Sequence, residues 1–240
     1  MLFAEWRLIL TGPADAGVNM AIDEATLTLV AGHRVPPTVR IYSWDVPCYT
    51  IGYLQRIAHL KRALARHGDC KCVRRLTGGR ACLHGGDLSY SVIVSLSDTL
   101  LPANVVASYE RISSGVIEGL RLLGLDARYA PPTEVQMDGR TIATAAQARR
   151  QGVLLHQGTI ALRPCLLDAE QAMPGQTLTP ISELVGGEID MEEGARALGM
   201  GLKRALGVDL SPSILFAKEK RLARQLWREK YVRPEWNLAR

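Results

Sequence analysis

The side chains best equipped for chemistry lie in one run, residues 73–94: Val73-Arg74-Arg75-Leu76-Thr77-Gly78-Gly79-Arg80-Ala81-Cys82-Leu83-His84-Gly85-Gly86-Asp87-Leu88-Ser89-Tyr90-Ser91-Val92-Ile93-Val94. Two cations, Arg74 and Arg75, precede a break at Thr77-Gly78-Gly79. Paired glycines let a backbone come close to a ligand or take a positive φ. From Arg80 onward the residues predict extended chain, turned at Gly85-Gly86-Asp87 and resuming with Leu88, Tyr90, Val92 and Val94 at period two. A strand, a glycine turn flanked by arginines and a returning hairpin would cradle an anion, because turn N–H groups and guanidinium forks both donate to oxyanions. The plainer reading is an ordinary hairpin with a charged turn, and these residues alone leave the two level.

Other elements must position this run. A short strand is predicted over residues 5–10, broken by Thr11-Gly12-Pro13, and a helix over 15–31 with Met20, Ile22, Ala25, Leu27 and Leu29 at helical spacing. Asp23 and Glu24 read as a solvated face of that helix. Residues 38–44 predict a strand and 49–55 its partner, with Tyr42 and Trp44 sharing a face as core residues or as a pocket wall. Residues 59–67 form a short basic surface helix, a candidate for docking a carrier. A helix over 104–123 carries an apolar stripe at Val105, Tyr109, Ile112, Val116 and Leu120, and Gly124 stops it. Strands follow at 125–130, 133–138, 140–147 and 152–162, with Asp138-Gly139 a hairpin signal and a second turn at 149–152. From Pro164 the character changes. With loops at Pro174-Gly175-Gln176 and Gly186-Gly187, the tail is formed by the stretch Ile181-Ser182-Glu183-Leu184, a helix at 191–206 and a basic helix at 213–231, whose charged face reads first as solvated and second as a docking surface. The pattern predicts an α/β (α+β) fold, a mixed and largely antiparallel sheet flanked by helices. Residues 1–164 would form the main domain and 165–240 a helical C-terminal extension packed on it.

The chain has 240 residues, enough for a sizeable core. No apolar run is long enough to span a bilayer. The opening Met1-Leu2-Phe3-Ala4-Glu5-Trp6-Arg7 lacks a signal-peptide layout, so a cytoplasmic protein is expected. Five scattered cysteines point to free thiols rather than a disulfide framework, and Cys70-x-Cys72 has no partner pair for zinc, so no metal is expected. The net charge is +5, but with two Phe and no aromatic-and-basic module it gives no support to a nucleic-acid partner.

Arg-Arg-x-Thr-Gly-Gly-Arg-Ala-x-Leu-His over 74–84, followed by Asp-Leu-Ser-Tyr-Ser-Val over 87–92, resembles the substrate-binding motif of the lipoate-protein ligase and octanoyltransferase family, whose fold is also used by biotin protein ligases. The second part is more similar to the octanoyltransferase branch. Further matches are Asn19 through Ala25, the Arg40-x-Tyr42-x-Trp44 and Gly52-Tyr53-x-Gln55 pair, Gly139-Arg140 with Ala145-Ala146-Gln147, Gly158 through Leu162, and Trp236-Asn237. The resemblance implies acyl transfer: an octanoyl or lipoyl group, held in a hydrophobic tunnel, passes to a lysine of a lipoyl domain through a cysteine thioester with a lysine nearby. It implies substrate contacts at Arg75, Thr77, Gly78, Gly79, Arg80, Ala81, Cys82, His84, Thr141, Gln147 and Gly158. It also implies acidic partners, acyl carrier protein and lipoyl-domain proteins, which a basic face would steer. No tightly bound cofactor and no membrane partner are implied, and ATP only for a ligase.

The sequence departs from the family at one place. The lysine expected after Gly139-Arg140 is Thr141, the glycine expected after Ala143 is Thr144, and residues 131–138 hold no cysteine. The family's His-Gly before the last strand reads Gln157-Gly158, with His156 one place early, a shift that moves a side chain to the other face. Cys82 and Cys165 are the candidate replacement nucleophiles, although an incidental thiol is the plainer reading of each. Arg75 or Arg80 would then supply the positive field. Three functions stay open: an atypical octanoyl or lipoyl transferase, a non-catalytic acyl- or lipoyl-binding accessory protein, and an ATP-dependent ligase, disfavoured because the missing lysine would contact the adenylate. On this reading Thr141→Lys yields little acyl transfer and Cys82→Ala leaves native activity largely in place.

Overall fold

Two strands buried along nearly their whole length, β6 (Asp87–Ser95) and β10 (Val153–Ala161), lie side by side at the centre of an eight-stranded sheet. Both can be this deeply buried because helices cover both faces. The computed structural model describes residues 5–68, 70–98, 100–167 and 177–239. The loop expected at 174–176 lies outside them. Around the centre stand β1 (Glu5–Ala14), β2 (Thr38–Trp44), β7 (Arg128–Ala130), β8 (Glu134–Met137), β9 (Arg140–Arg150) and β11 (Asp209–Ser213), in the order β11-β1-β2-β6-β10-β9-β8-β7. β1 runs parallel to β2 and β11, and the other pairings are antiparallel. The sheet is therefore mixed and largely antiparallel, as expected. Thr11-Gly12-Pro13 does not end β1; the strand continues past it with a register shift against β2 between Leu10 and Pro13.

Helix α1 (Ala16–Ala31) covers one face, capped by Asp15, whose Oδ1 accepts from Gly17 N at 2.9 Å. Its Asp23 is not solvated: it is buried against Arg40, 2.8 Å away. The other face carries α3 (Val105–Leu122), capped by Asn104. Ile112, Val116 and Leu120 of its stripe are buried, while Val105 in the first turn is exposed. α3 lies under α5 (Met191–Leu206), and the crossing is so close that a Cβ on Gly201 would stand 2.3 Å from both Gly115 O and Gly119 N.

A second sheet has the order β4-β3-β5, from β3 (Cys48–Ile51), β4 (Lys71–Arg74) and β5 (Cys82–His84), with α2 (Lys61–Arg66) between β3 and β4. Two expectations need correction here. β3 is not the partner of β2, and β5 and β6 form no hairpin, because they belong to different sheets. Gly85 (φ 148°) and Gly86 carry the chain from one sheet to the other; a Cβ on Gly86 would fall 2.2 Å from Arg163 O.

The tail contains α4 (Ile181–Val185), α5, β11, α6 (Ala217–Leu226) and α7 (Pro234–Asn237). A helix does not begin at Ser213. Residues 209–213 instead pair with β1 as a sheet edge, where Pro212 is tolerated. α6 is tied back to β1 by Glu219, which accepts from Arg7 Nη2 at 2.9 Å with both side chains buried.

Candidate functional site

Alternation along β4 and just beyond it sends the two arginines of the central run in opposite directions. Arg74 anchors the tail, donating to Gly52 O at 2.9 Å, Gln55 O at 2.7 Å and Trp236 O at 3.1 Å. Arg75 turns the other way and organises the glycine turn around itself. Its Nη1 donates to Thr50 Oγ1 at 2.7 Å, and its Nη2 to Gly78 O at 2.7 Å and Arg80 O at 2.9 Å. The turn needs its glycines: Gly79 has φ 85°, and a Cβ on the facing Gly52 would stand 2.0 Å from Gly79 O.

This turn forms one wall of a cavity of about 480 Å³. Arg75, Gly79, Arg80, Ala81, Cys82 and His84 line it on this side, and Thr141, Thr144, Ala145, Ala146 and Gly158 on the side of β9 and β10. Met20, Tyr42 and Trp44 add an apolar and aromatic wall from α1 and β2. Thr77 and Gly78 brace the cavity from behind instead of lining it: Thr77 Oγ1 donates to Gln157 Oε1 at 2.7 Å. Gln157 in turn donates to Asp23 Oδ2 at 2.7 Å.

Gln147 is the expected contact that the structure places elsewhere. It faces α3, where its Nε2 is 3.0 Å from His156 Nδ1 and its Oε1 accepts from Ser108 Oγ at 3.1 Å. Gln147 stands across from His156 in the β9–β10 ladder, whereas Ala146 stands across from Gln157. His156 is buried beside Tyr90 and Tyr109, and burial holds its imidazole down at about 3, so it stays neutral.

On β5, Cys82 and His84 lie two residues apart and both reach the cavity. His84 Nδ1 is 2.8 Å from Asp87 Oδ2, its Nε2 is 2.8 Å from Thr50 Oγ1, and its ring stacks on Trp44 at 4.0 Å. Thr50 stands directly across from Cys82 in the β3–β5 register. Burial alone would lower His84, but the Asp87 carboxylate raises it to about 10. Burial likewise opposes the Asp87 charge, yet His84 and the surrounding donors bring the carboxyl down to about 2. In the sequence Asp87 reads only as a turn and motif residue, and Thr50 only as part of a strand. The period-two spacing of Cys82 and His84 was the available signal.

At the position of the expected lysine, Thr141 Oγ1 donates to Glu134 Oε2 at 2.9 Å, and Glu134 also lines the cavity. A lysine introduced at 141 would meet that carboxylate first. Cys165 lies outside this cavity, in a neighbouring one of about 360 Å³ with Arg140, Arg163 and Glu183. The stretch at Thr177 and Leu178 borders both, held by Thr179 N donating to Thr141 O at 2.8 Å. Among the described residues no group of three or more His, Cys, Asp and Glu is placed to hold a metal ion.

Residues 15–202 match the lipoyl protein ligase A/B catalytic domain, and the chain belongs to that family. Relatives that match it end to end are octanoyltransferases. The octanoyltransferase LipM of Geobacillus kaustophilus is 35% identical over 279 residues, covering 98% of each chain. That of Kyrpidia tusciae is 37% identical over 270 residues, covering 97% of this chain and 98% of the relative. Among solved structures, a bi-partite lipoate protein ligase of Thermoplasma acidophilum, studied with its E2 lipoyl domain, superposes with a TM-score of 0.83 at 26% identity, over 99% of this chain and 98% of that one. A biotin protein ligase of Aquifex aeolicus, at 11% identity and a TM-score of 0.51 over 85% of this chain and 70% of that one, shares the fold alone.

Proposed function

We propose that this chain is an acyltransferase of protein lipoylation, moving an octanoyl or lipoyl group from a thioester on a carrier to a lysine of a lipoyl domain. The observation that carries this reading is the cavity of about 480 Å³ beside the glycine turn. Its size falls within the roughly 300–1,000 Å³ of small-molecule sites, and its apolar and aromatic wall at Met20, Tyr42 and Trp44, facing polar groups at Thr50, Arg75 and His84, suits an acyl chain ending in a carbonyl. The octanoyltransferase relatives support the same chemistry. ATP is not expected to take part, because the wall holds Glu134 and Thr141 where an adenylate would need a cation. The acidic carrier protein and lipoyl domain fit the net charge of +5 and the exposed Lys220, Arg221, Arg224 and Arg228 of the tail.

A second reading, an acyl-binding accessory protein, draws on Thr141 and the cysteine-free stretch 131–138. Both are tested by incubating the chain with octanoyl carrier protein and an acceptor lipoyl domain without ATP. Octanoylation of the acceptor, read by intact mass, is the expected result. Octanoate binding by calorimetry without transfer would favour the accessory reading. Incorporation of free octanoate only with ATP would make the protein a ligase.

A further inference from the structure

The cavities of about 480 and 360 Å³ share three wall residues, Cys82, Thr177 and Leu178. Cys82 is thus at the waist between two spaces: one with an apolar and aromatic wall for a chain, the other bordered by Arg140, Arg163 and Glu183. A group attached there can be reached from either side. The neighbouring side chains are fixed. His84 shares the β5 face with Cys82 and is pinned on both ring nitrogens, by Asp87 and by Thr50. Asp87 in turn receives hydrogen bonds from Gly85 N at 2.9 Å, Trp44 Nε1 at 3.0 Å and Ser89 Oγ at 3.0 Å. Arg75 reaches Thr50 from behind, so a second cation faces the strand position opposite Cys82.

We infer that Cys82 is the nucleophile of this site, with His84 as its proton carrier and Asp87 positioning His84; the inference rests on the acyl-transfer reading above. Cys82 Sγ attacks the carbonyl carbon of the donor thioester, and the bond from that carbon to the carrier sulfur breaks. His84 gives a proton to the departing sulfur and recovers the one lost by Cys82, so a free carrier thiol and an S-acyl Cys82 result. The lysine amine of the acceptor then attacks the same carbonyl. An amide forms, the bond to Sγ breaks, and Cys82 regains its proton from the amine through His84. The positive edges of Arg75 and His84 offset the charge that develops on the carbonyl oxygen. The remaining thiols are poor candidates, because burial pushes Cys70 up to about 11 and Cys72 up to about 12, and raises Cys48 and Cys165 as well. This reverses the sequence expectation that Cys82→Ala leaves activity in place; the sequence did not reveal that the thiol opens into both cavities beside an oriented imidazole.

The test uses the full chain and octanoyl carrier protein, with intact mass and peptide mapping of the quenched protein. An octanoyl group on Cys82 alone is expected. Cys82→Ser should lose transfer to the lipoyl domain by at least ~10³-fold while keeping octanoate binding by calorimetry, since the covalent route is gone but the cavity is not. His84→Gln should slow adduct formation by about 10²-fold and flatten its pH profile, which a merely structural loss would not do. An adduct on Cys165, or undiminished transfer by Cys82→Ser, would overturn the assignment and leave the acyl-transfer reading standing. A wild-type chain that neither binds octanoate nor transfers it would overturn both.

Discussion

Asp87 shows how much one residue can hold together. Its carboxylate receives hydrogen bonds from His84 Nδ1, Gly85 N, Trp44 Nε1, Ser89 Oγ and Thr159 Oγ1, joining both sheets at the cavity wall. His84, raised to about 10 against 6.5 when unfolded, contributes stability that is fully present below pH 6.5 and lost as pH rises towards 10. Asp87, lowered to about 2 against 3.8, contributes above pH 3.8 and loses that contribution as pH falls towards 2. Asp87→Asn should therefore destabilise most between pH 3.8 and 6.5, by about 3 kcal/mol or more for a buried pair deprived of one partner. The gap to the wild type should narrow as pH climbs. Thermal unfolding of both proteins across that range checks this, and a gap that does not change with pH would show that the pair is not charged. Much of this site was legible in the sequence, because its motif is dense: Arg75, Gly79, Arg80, Ala81, Cys82 and His84 all reach the cavity. Gln147 and Ala146 could not be told apart, because only the β9–β10 register decides which of two neighbours faces inward.

Elements were legible where periodicity was local and misread where pairing was distant. α1, α3 and α5 follow from apolar spacing and cap residues. The sheet membership of β3 and β5 does not, because alternation says that a strand exists and nothing about its partner. β11 was missed because a five-residue edge strand containing Pro212 carries little strand signal. The crossing of α3 and α5 has its own test. Gly201→Ala should gain about 1 kcal/mol of helix propensity. Its new Cβ, however, would stand 2.3 Å from backbone atoms of Gly115 and Gly119, which cannot turn aside as a side chain would. Separating packed helices costs about 1–3 kcal/mol, and backbone contact belongs at the upper end. We expect a net loss of about 2 kcal/mol, read as a lower urea midpoint at unchanged slope. A stabilised variant would mean that the helices stand further apart.

At the scale of the molecule, the tail is joined to the sheet by β11 along β1 and by a buried ion pair that spans the chain. Arg7 Nη1 and Nη2 reach Glu219 at 3.0 and 2.9 Å, Arg7 Nε and Nη2 reach Thr38 Oγ1 at 3.2 and 2.8 Å, and Thr26 Oγ1 donates to Glu219 at 3.3 Å. An exposed pair of this kind would contribute up to about 1 kcal/mol. Here both partners are withdrawn from water, so the consequence of losing one is set by the charge left behind. Glu219→Ala strands Arg7 and should cost about 3–5 kcal/mol. Because Glu219 also accepts from Phe216 N at 2.8 Å at the start of α6, the same change should loosen that helix and speed proteolysis near the exposed Ile214. Replacing both partners with apolar residues, Arg7→Met with Glu219→Leu, should recover most of the loss, since an apolar pair of similar volume carries no unpaired charge. The three proteins would be compared by denaturant unfolding and by protease cleavage rate. If Glu219→Ala cost less than about 1 kcal/mol, Arg7 would have to be reaching water, and the tail would be held by β11 and apolar packing alone.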